Sequence, residues 1–174
     1  MQSPELFWAM RILLPLFLGA VVTYVIGKII SRIKGDRAGG VVAAVIALVV
    51  TVAAYILCFT YPGAASAGAE SGIAWLGSLK PDALSLLMAK IMFPLVILVA
   101  IYSLGYMKDD SGTDKYYALM LIMAGGMMGV VGAGDIISLY VFFEILSISS
   151  YCLVSFRKES WEPIEAGFKY VIIN

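Results

Sequence analysis

The sequence contains no histidine. Without imidazole, most haem ligation, most zinc sites and proton relays built on histidine are excluded. Cysteine is scarce as well. Cys58 and Cys152 stand 94 residues apart inside apolar runs and form no CxxC pair. They read as small apolar fillers, with neither a disulfide nor a metal expected. Charge is thin: Asp, Glu, Lys and Arg make up 14% of the chain and the net charge is zero, so nothing points to nucleic acid or an acidic partner. No GxGxxG or Walker pattern offers a phosphate loop. With no residues fit to bind a redox group, no cofactor is expected.

Apolar residues are what the chain has in excess, at 61% with a mean hydropathy of +0.95. A soluble domain is apolar in about half of its residues. A helix rises ~1.5 Å per residue, so ~20 apolar residues cross the hydrocarbon core of a bilayer. Five runs meet that length: 6–30, 41–61, 83–107, 116–133 and 136–156. A sixth opens at about Ala166 and holds nine residues up to Asn174, too few to span. The expected fold is all-α, a single polytopic transmembrane helix bundle of five full spans and the start of a sixth. The first run is read as a retained helix and not a signal peptide, because Glu5 and no Lys or Arg precedes it and no small-residue cleavage site follows.

Lys and Arg in the loops set the expected orientation. The first loop carries Lys28, Arg32, Lys34 and Arg37, the third Lys108 and Lys115, and the fifth Arg157 and Lys158. The second, Pro62 to Pro81, carries only Lys80, and the fourth, around Gly134 and Asp135, carries none. The odd loops are therefore placed in the cytoplasm and the N-terminus outside. The second loop is rich in Ala, Gly and Ser and is expected to hold little regular structure, with Trp75 in the interface. The Gly132-Ala133-Gly134-Asp135 turn is tight and makes spans four and five an antiparallel hairpin. In span four, Gly125, Gly129 and Gly132 recur on one helical face with Gly126 beside them. Small residues let helices approach closely in lipid, so tight packing is expected there.

Besides Lys28, two residues from the end of the first run and counted with the loop, three charges fall inside spans. Arg11 lies within two turns of an end and can snorkel. Glu144 cannot, because it lies ~14 Å from Asp135 along the fifth helix and has a short side chain. A charge at mid-bilayer costs roughly 2.5–3.5 kcal/mol on insertion scales. Burial favours the neutral acid over the carboxylate, which suits a proton carrier. Tyr140, Ser147 and Tyr151 share its face at −4, +3 and +7 and can hydrogen-bond the carboxyl or line a water file. A protonated Glu that only cross-links helices is the plainer alternative. Lys90 lies ~12 Å into span three, close to the level of Glu144. The two are candidates for an ion pair or shared relay, against a Lys90 that snorkels or pairs elsewhere.

These residues also fall into recognisable motifs. Gly134-Asp135 through Leu139-Tyr140-Val141-Phe142-Phe143-Glu144-Ile145-Leu146-Ser147, closing on Ser150-Tyr151, resembles the fifth helix of the antiporter-like subunits. These are the large membrane subunits shared by respiratory complex I, Mrp sodium/proton antiporters and membrane-bound group 4 hydrogenases. Pro81-Asp82-Ala83-Leu84-Ser85-Leu86-Leu87, with Tyr102-Ser103 and Gly105-Tyr106-Met107 further on, is similar to the family's third helix. Glu165-Ala166-Gly167-Phe168-Lys169-Tyr170 is similar to the start of its sixth. The resemblance covers about residues 80–174. Residues 1–75 match only in pattern.

The resemblance implies a buried glutamate on helix five, here Glu144, and lysines on later helices, joined by water into a charged axis that moves protons or drives sodium exchange. Lys169 matches a lysine of the sixth helix. Lys90 departs from the family pattern. Members have many more helices, and the lysines of helices seven and eight are absent from this sequence. The chain therefore reads as a split or truncated antiporter-like subunit in a cell (inner or cytoplasmic) membrane, completed by a partner chain within a multi-subunit complex. Two other classes stay open, a non-pumping scaffold of such a complex and a small homo-oligomeric transporter. Glu and Lys chemistry suits protons, while sodium would need an oxygen cage that no motif supplies.

Overall fold

The apolar runs become helices whose ends are set by polar and glycine residues. A computed structural model describes residues 9–59, 79–80, 82–107, 110, 112–157 and 161–173. Ala9–Leu13 is a π-helical turn that leads into α1, Leu14–Lys34; then follow α2, Asp36–Phe59, α3, Ala83–Tyr106, α4, Thr113–Gly132, α5, Ile136–Val154, and α6, Trp161–Ile173. Helices α1 to α5 are each long and apolar enough to cross a membrane. Among the described residues the β-structure is one isolated bridge, Leu79 to Ala133. The expected loop of 62–81 and its Trp75 lie outside the described residues, apart from Leu79 and Lys80.

Two boundaries differ from the apolar runs. Lys28, Arg32 and Lys34 belong to α1 and Arg37 to α2, so the first connection shrinks to Gly35. Gly35 has φ +95°, the left-handed region that suits glycine, and its N–H donates to Ser31 O at 3.0 Å. Basic side chains in the last turn of α1 complement the negative end of its dipole. Helix α6 begins at Trp161, five residues before the apolar run. Glu162 and Glu165 broke the run in hydropathy, yet acidic residues favour the first turns of a helix.

Lateral packing is centred on α4, which contacts α1, α2, α3 and α5, while α6 packs on α5. Glycine makes this possible. A Cβ on Gly125 would lie 3.1 Å from the Phe17 ring of α1. One on Gly126 would lie 3.0 Å from the backbone nitrogen of Leu146 in α5, and one on Gly129 would overlap the Phe142 ring. The expected single glycine face is thus divided between two neighbours. Helix α2 contributes a second stripe of small side chains. Ala43, Ala47, Thr51, Ala54 and Cys58 are all fully buried, and close approach of this kind drives helix association in lipid.

Both ends of the bundle are tied. At one end Lys80 N–H donates to Gly132 O at 2.9 Å, and Ser85 Oγ lies 2.7 Å from Val131 O. At the other, Arg157 donates to Asp110 Oδ2 at 2.8 and 2.9 Å, with its guanidinium 4.6 Å over the Tyr106 ring. Helices α3, α4 and α5 therefore alternate in direction.

Asp82 caps α3. Its carboxylate accepts from Ser85 N at 2.7 Å, and Ser85 Oγ in turn accepts from Asp82 N at 3.2 Å. The bond from the Ser85 N–H, and then that from its hydroxyl, hold the Asp82 carboxyl below the usual carboxylate range. A carboxyl with a lowered folded value stabilises fully above its unfolded pKa and loses that contribution as pH falls through the folded one. Asp82→Ala is expected to cost about 1 kcal/mol at neutral pH. Asp82→Asn keeps a capping oxygen and should remove the acid-side loss. Thermal unfolding in detergent across acidic pH checks both.

Candidate functional site

Helix α5 starts where Asp135 accepts from Ser138 N at 2.6 Å, and Glu144 follows nine residues later. That places its carboxyl near the middle of the helix, ~14 Å from the cap. Phe142 and Leu146 turn toward α4, where Gly129 and Gly126 receive them, and Glu144, two residues from each, lies on the other side of α5. Glu144 is half-buried. Tyr140, one turn before, hydrogen-bonds the Glu144 carboxyl through its hydroxyl. Further along, Ser147 is buried, and Ser150 Oγ lies 2.8 Å from Ser147 O and 3.2 Å from the Tyr170 hydroxyl of α6. The Tyr151 and Tyr170 rings meet edge to face at 6.2 Å. Tyr140 thus meets the Glu144 carboxyl, while Ser150, Tyr151 and Tyr170 meet further along at the α5–α6 contact.

The lysines stand elsewhere. Lys90 is exposed on the outside of α3, within electrostatic reach of the Cys58 thiol on α2. Helix α3 packs on α2 and α4, and α5 packs on α4 and α6, so the helices that carry Lys90 and Glu144 both pack on α4. Lys169 forms an exposed ion pair with Glu165 at 2.7 Å on α6. Arg11, in the π-helical turn, is exposed. Among the described residues no three His, Cys, Asp or Glu side chains gather into a metal-binding group. One polar cluster escaped the sequence reading: Asp114, in the first turn of α4, and Thr23 of α1 are both buried. Asp114 lies two residues outside the fourth apolar run and reads as loop by hydropathy alone.

The fold and the carboxyl in mid-helix define a polytopic helical membrane subunit. Residues 75–117 match the family described as NADH-ubiquinone oxidoreductase (complex I), chain 5 N-terminus, and residues 133–174 match NADH:quinone oxidoreductase/Mrp antiporter, TM. Over these two stretches the chain is similar to the antiporter-like membrane subunits of complex I and the Mrp antiporters. Subunit N of the F420H2 dehydrogenase of Methanosarcina mazei is 32% identical over 97 residues, which are 56% of this chain and 20% of that one. Subunit A1 of the Na+/H+ antiporter of Staphylococcus haemolyticus is 36% identical over 93 residues, 53% of this chain and 12% of that one. The matched stretch is thus a fifth or less of these relatives' length. The fold is similar to a chain of the membrane-bound sulfane sulfur reductase, an archaeal respiratory membrane complex, with a TM-score of 0.63 at 20% identity, covering 93% of this chain and 34% of that one.

Proposed function

We propose that this chain is the glutamate-bearing part of an antiporter-like subunit in a redox-driven or Mrp-type complex, and that Glu144 takes up and releases the translocated proton. The observation that carries the reading is a half-buried carboxyl at the middle of a spanning helix, hydrogen-bonded by the Tyr140 hydroxyl one turn before it. In lipid such a group is costly unless it serves a proton or ion path. The hydroxyls of Tyr140, Ser147 and Tyr151 are the side chains that would carry water to it. Lys169 supplies a positive charge on α6 whose pairing with Glu165 can be exchanged. Lys90 stands apart from this path. The other helices of such a subunit, and its partner subunits, lie outside this sequence.

Orientation follows from charge. Lys28, Arg32, Lys34, Arg37, Lys115 and Arg157 gather at the end of the bundle that holds Gly35, against Arg11 and Lys80 at the other. The positive-inside rule then puts the N-terminus on the outer side of the cell membrane. The test of the function is ion flux in vesicles carrying the whole complex with Glu144→Gln, read beside assembly on native gels. Lost flux with intact assembly supports the reading. Unchanged flux makes the chain a scaffold.

A further inference from the structure

Two buried oxygens are left over once the hydrogen bonds of the bundle are assigned, and both belong to one interface. Thr23 of α1 is 0% exposed and Asp114 of α4 is 5% exposed. Neither Thr23 Oγ1 nor Asp114 Oδ2 has a hydrogen-bond partner among the described residues. Almost every buried polar atom in a native protein has one, so two exceptions on helices that pack together call for an explanation.

Their surroundings are built for close approach. The first turn of α4 enters a glycine cradle on the α1–α2 hairpin. A Cβ on Gly27 would lie 2.8 Å from Asp114 Cβ and 3.2 Å from Ala43 Cβ, and one on Gly40 would overlap the Thr113 hydroxyl. Thr23 precedes Gly27 by four residues, so it shares the face of α1 that meets α4, one turn deeper in the bundle. The Gly125–Phe17 contact continues the same antiparallel seam toward the other end.

An ionised carboxylate in such a place is strongly disfavoured unless paired. The positive end of the α4 dipole offsets only a part of that penalty. From α1 the residue that meets Asp114 is Gly27, with Lys28 next in sequence. On α2, Ala43 also lies against Gly27, with Arg37 about two turns earlier on that helix. On α4 itself Lys115 is exposed, and Asp110 in the preceding connection is engaged by Arg157. The carboxyl is thus left to be satisfied by a proton and by water, and a buried water needs two or more polar partners.

We propose that Asp114 and Thr23 form a second proton site in this chain. Asp114 holds a proton on Oδ2 and donates it to a water, which donates to Thr23 Oγ1. No bond other than O–H is made or broken. The site lies about 20 Å along α4 from the stretch that receives Phe142 and Leu146, toward the Gly35 end of the bundle. It does not depend on the role of Glu144, because its test reads the carboxyl itself.

Infrared spectra of the whole complex in lipid, with and without 13C-aspartate, provide that test. At neutral pH a carboxylic C=O band is expected that shifts with the aspartate label, which glutamate bands do not. It should vanish in Asp114→Asn and move in Thr23→Val. Absence of a labelled carboxylic band in the wild type overturns the proposal, as does a band that survives Asp114→Asn. Loss of the band when sodium replaces choline at constant pH also overturns it, since the site would then hold a metal cation. If Asp114→Asn fails to assemble, Thr23→Val decides: a shifted band supports the bridge and an unshifted one overturns it.

Discussion

Glu144→Gln is expected to reduce ion flux to the level of vesicles without the complex, while the complex still assembles. The amide has the shape of the acid, and its carbonyl still accepts from the Tyr140 hydroxyl. It is neutral, so the membrane cost of the residue does not rise. What it cannot do is bind and release a proton. A loss of flux therefore reports on chemistry and not on folding. Glu144→Asp keeps the acid but withdraws it by one methylene from the half-buried rim. Displacements of about 1 Å can cost on the order of a hundredfold where positioning matters, so flux between that of the wild type and Glu144→Gln is expected. Tyr140→Phe removes one hydrogen bond from the carboxyl and should have the smallest effect of the three. Proton uptake in vesicles, normalised to assembled complex, orders the series. Equal flux in all three would remove Glu144 from the path.

Gly129→Ala is expected to be the most damaging small substitution in the bundle. Its Cβ would fall on the inner atoms of the Phe142 ring, and Phe142 is buried. The ring has to leave its rotamer or α4 and α5 have to part, and overpacking of this kind costs typically about 1–3 kcal/mol. Gly126→Ala presses on the backbone of Leu146 at 3.0 Å, where only a shift of the helix gives room. Both contacts flank Glu144 within two residues, so a loss of flux should accompany the loss of stability. Gly105→Ala provides the control. Nothing lies within 4 Å of its Cβ, and removing a helical glycine favours the helix by up to about 1 kcal/mol. Thermal unfolding in detergent should rank Gly105→Ala at or above the wild type and Gly129→Ala well below it. Adding Phe142→Leu to Gly129→Ala should recover part of the loss, and failure to recover would mean that the clash is not the cause.

Several features of this bundle were legible before any coordinates. The five spans follow from run length, because twenty apolar residues have few alternatives in water. The depth of Glu144 follows from counting residues after the Asp135 turn, and the cap on Ser138 bears out that starting point. The glycine pattern of α4 announced close packing. It could not say that Gly125 belongs to α1 and Gly126 and Gly129 to α5, since a recurrence in one helix names a face and not the neighbour on it. Hydropathy also mistook the ends. Lys28, Arg32 and Lys34 looked like a loop and are helix, and Glu162 and Glu165 hid the first turn of α6.

Lys90 and Asp114 mark the limit most clearly. Sequence alone set the expectation that Lys90 and Glu144 lie near one depth, because position along a helix rises with residue number. Which helices neighbour theirs was decided by the tertiary structure, through the fit of small residues on α2 and α4 against bulky ones on their neighbours, a property of pairs of helices far apart in the chain. Asp114 reads as a loop residue, and it is buried only because Gly27 and Gly40, more than seventy residues away, open a cradle for the first turn of α4. Composition and run length placed this chain in the membrane and set its glutamate at mid-depth. Which groups share a path across it was left to shape complementarity between helices, to which a one-dimensional pattern of hydropathy is blind.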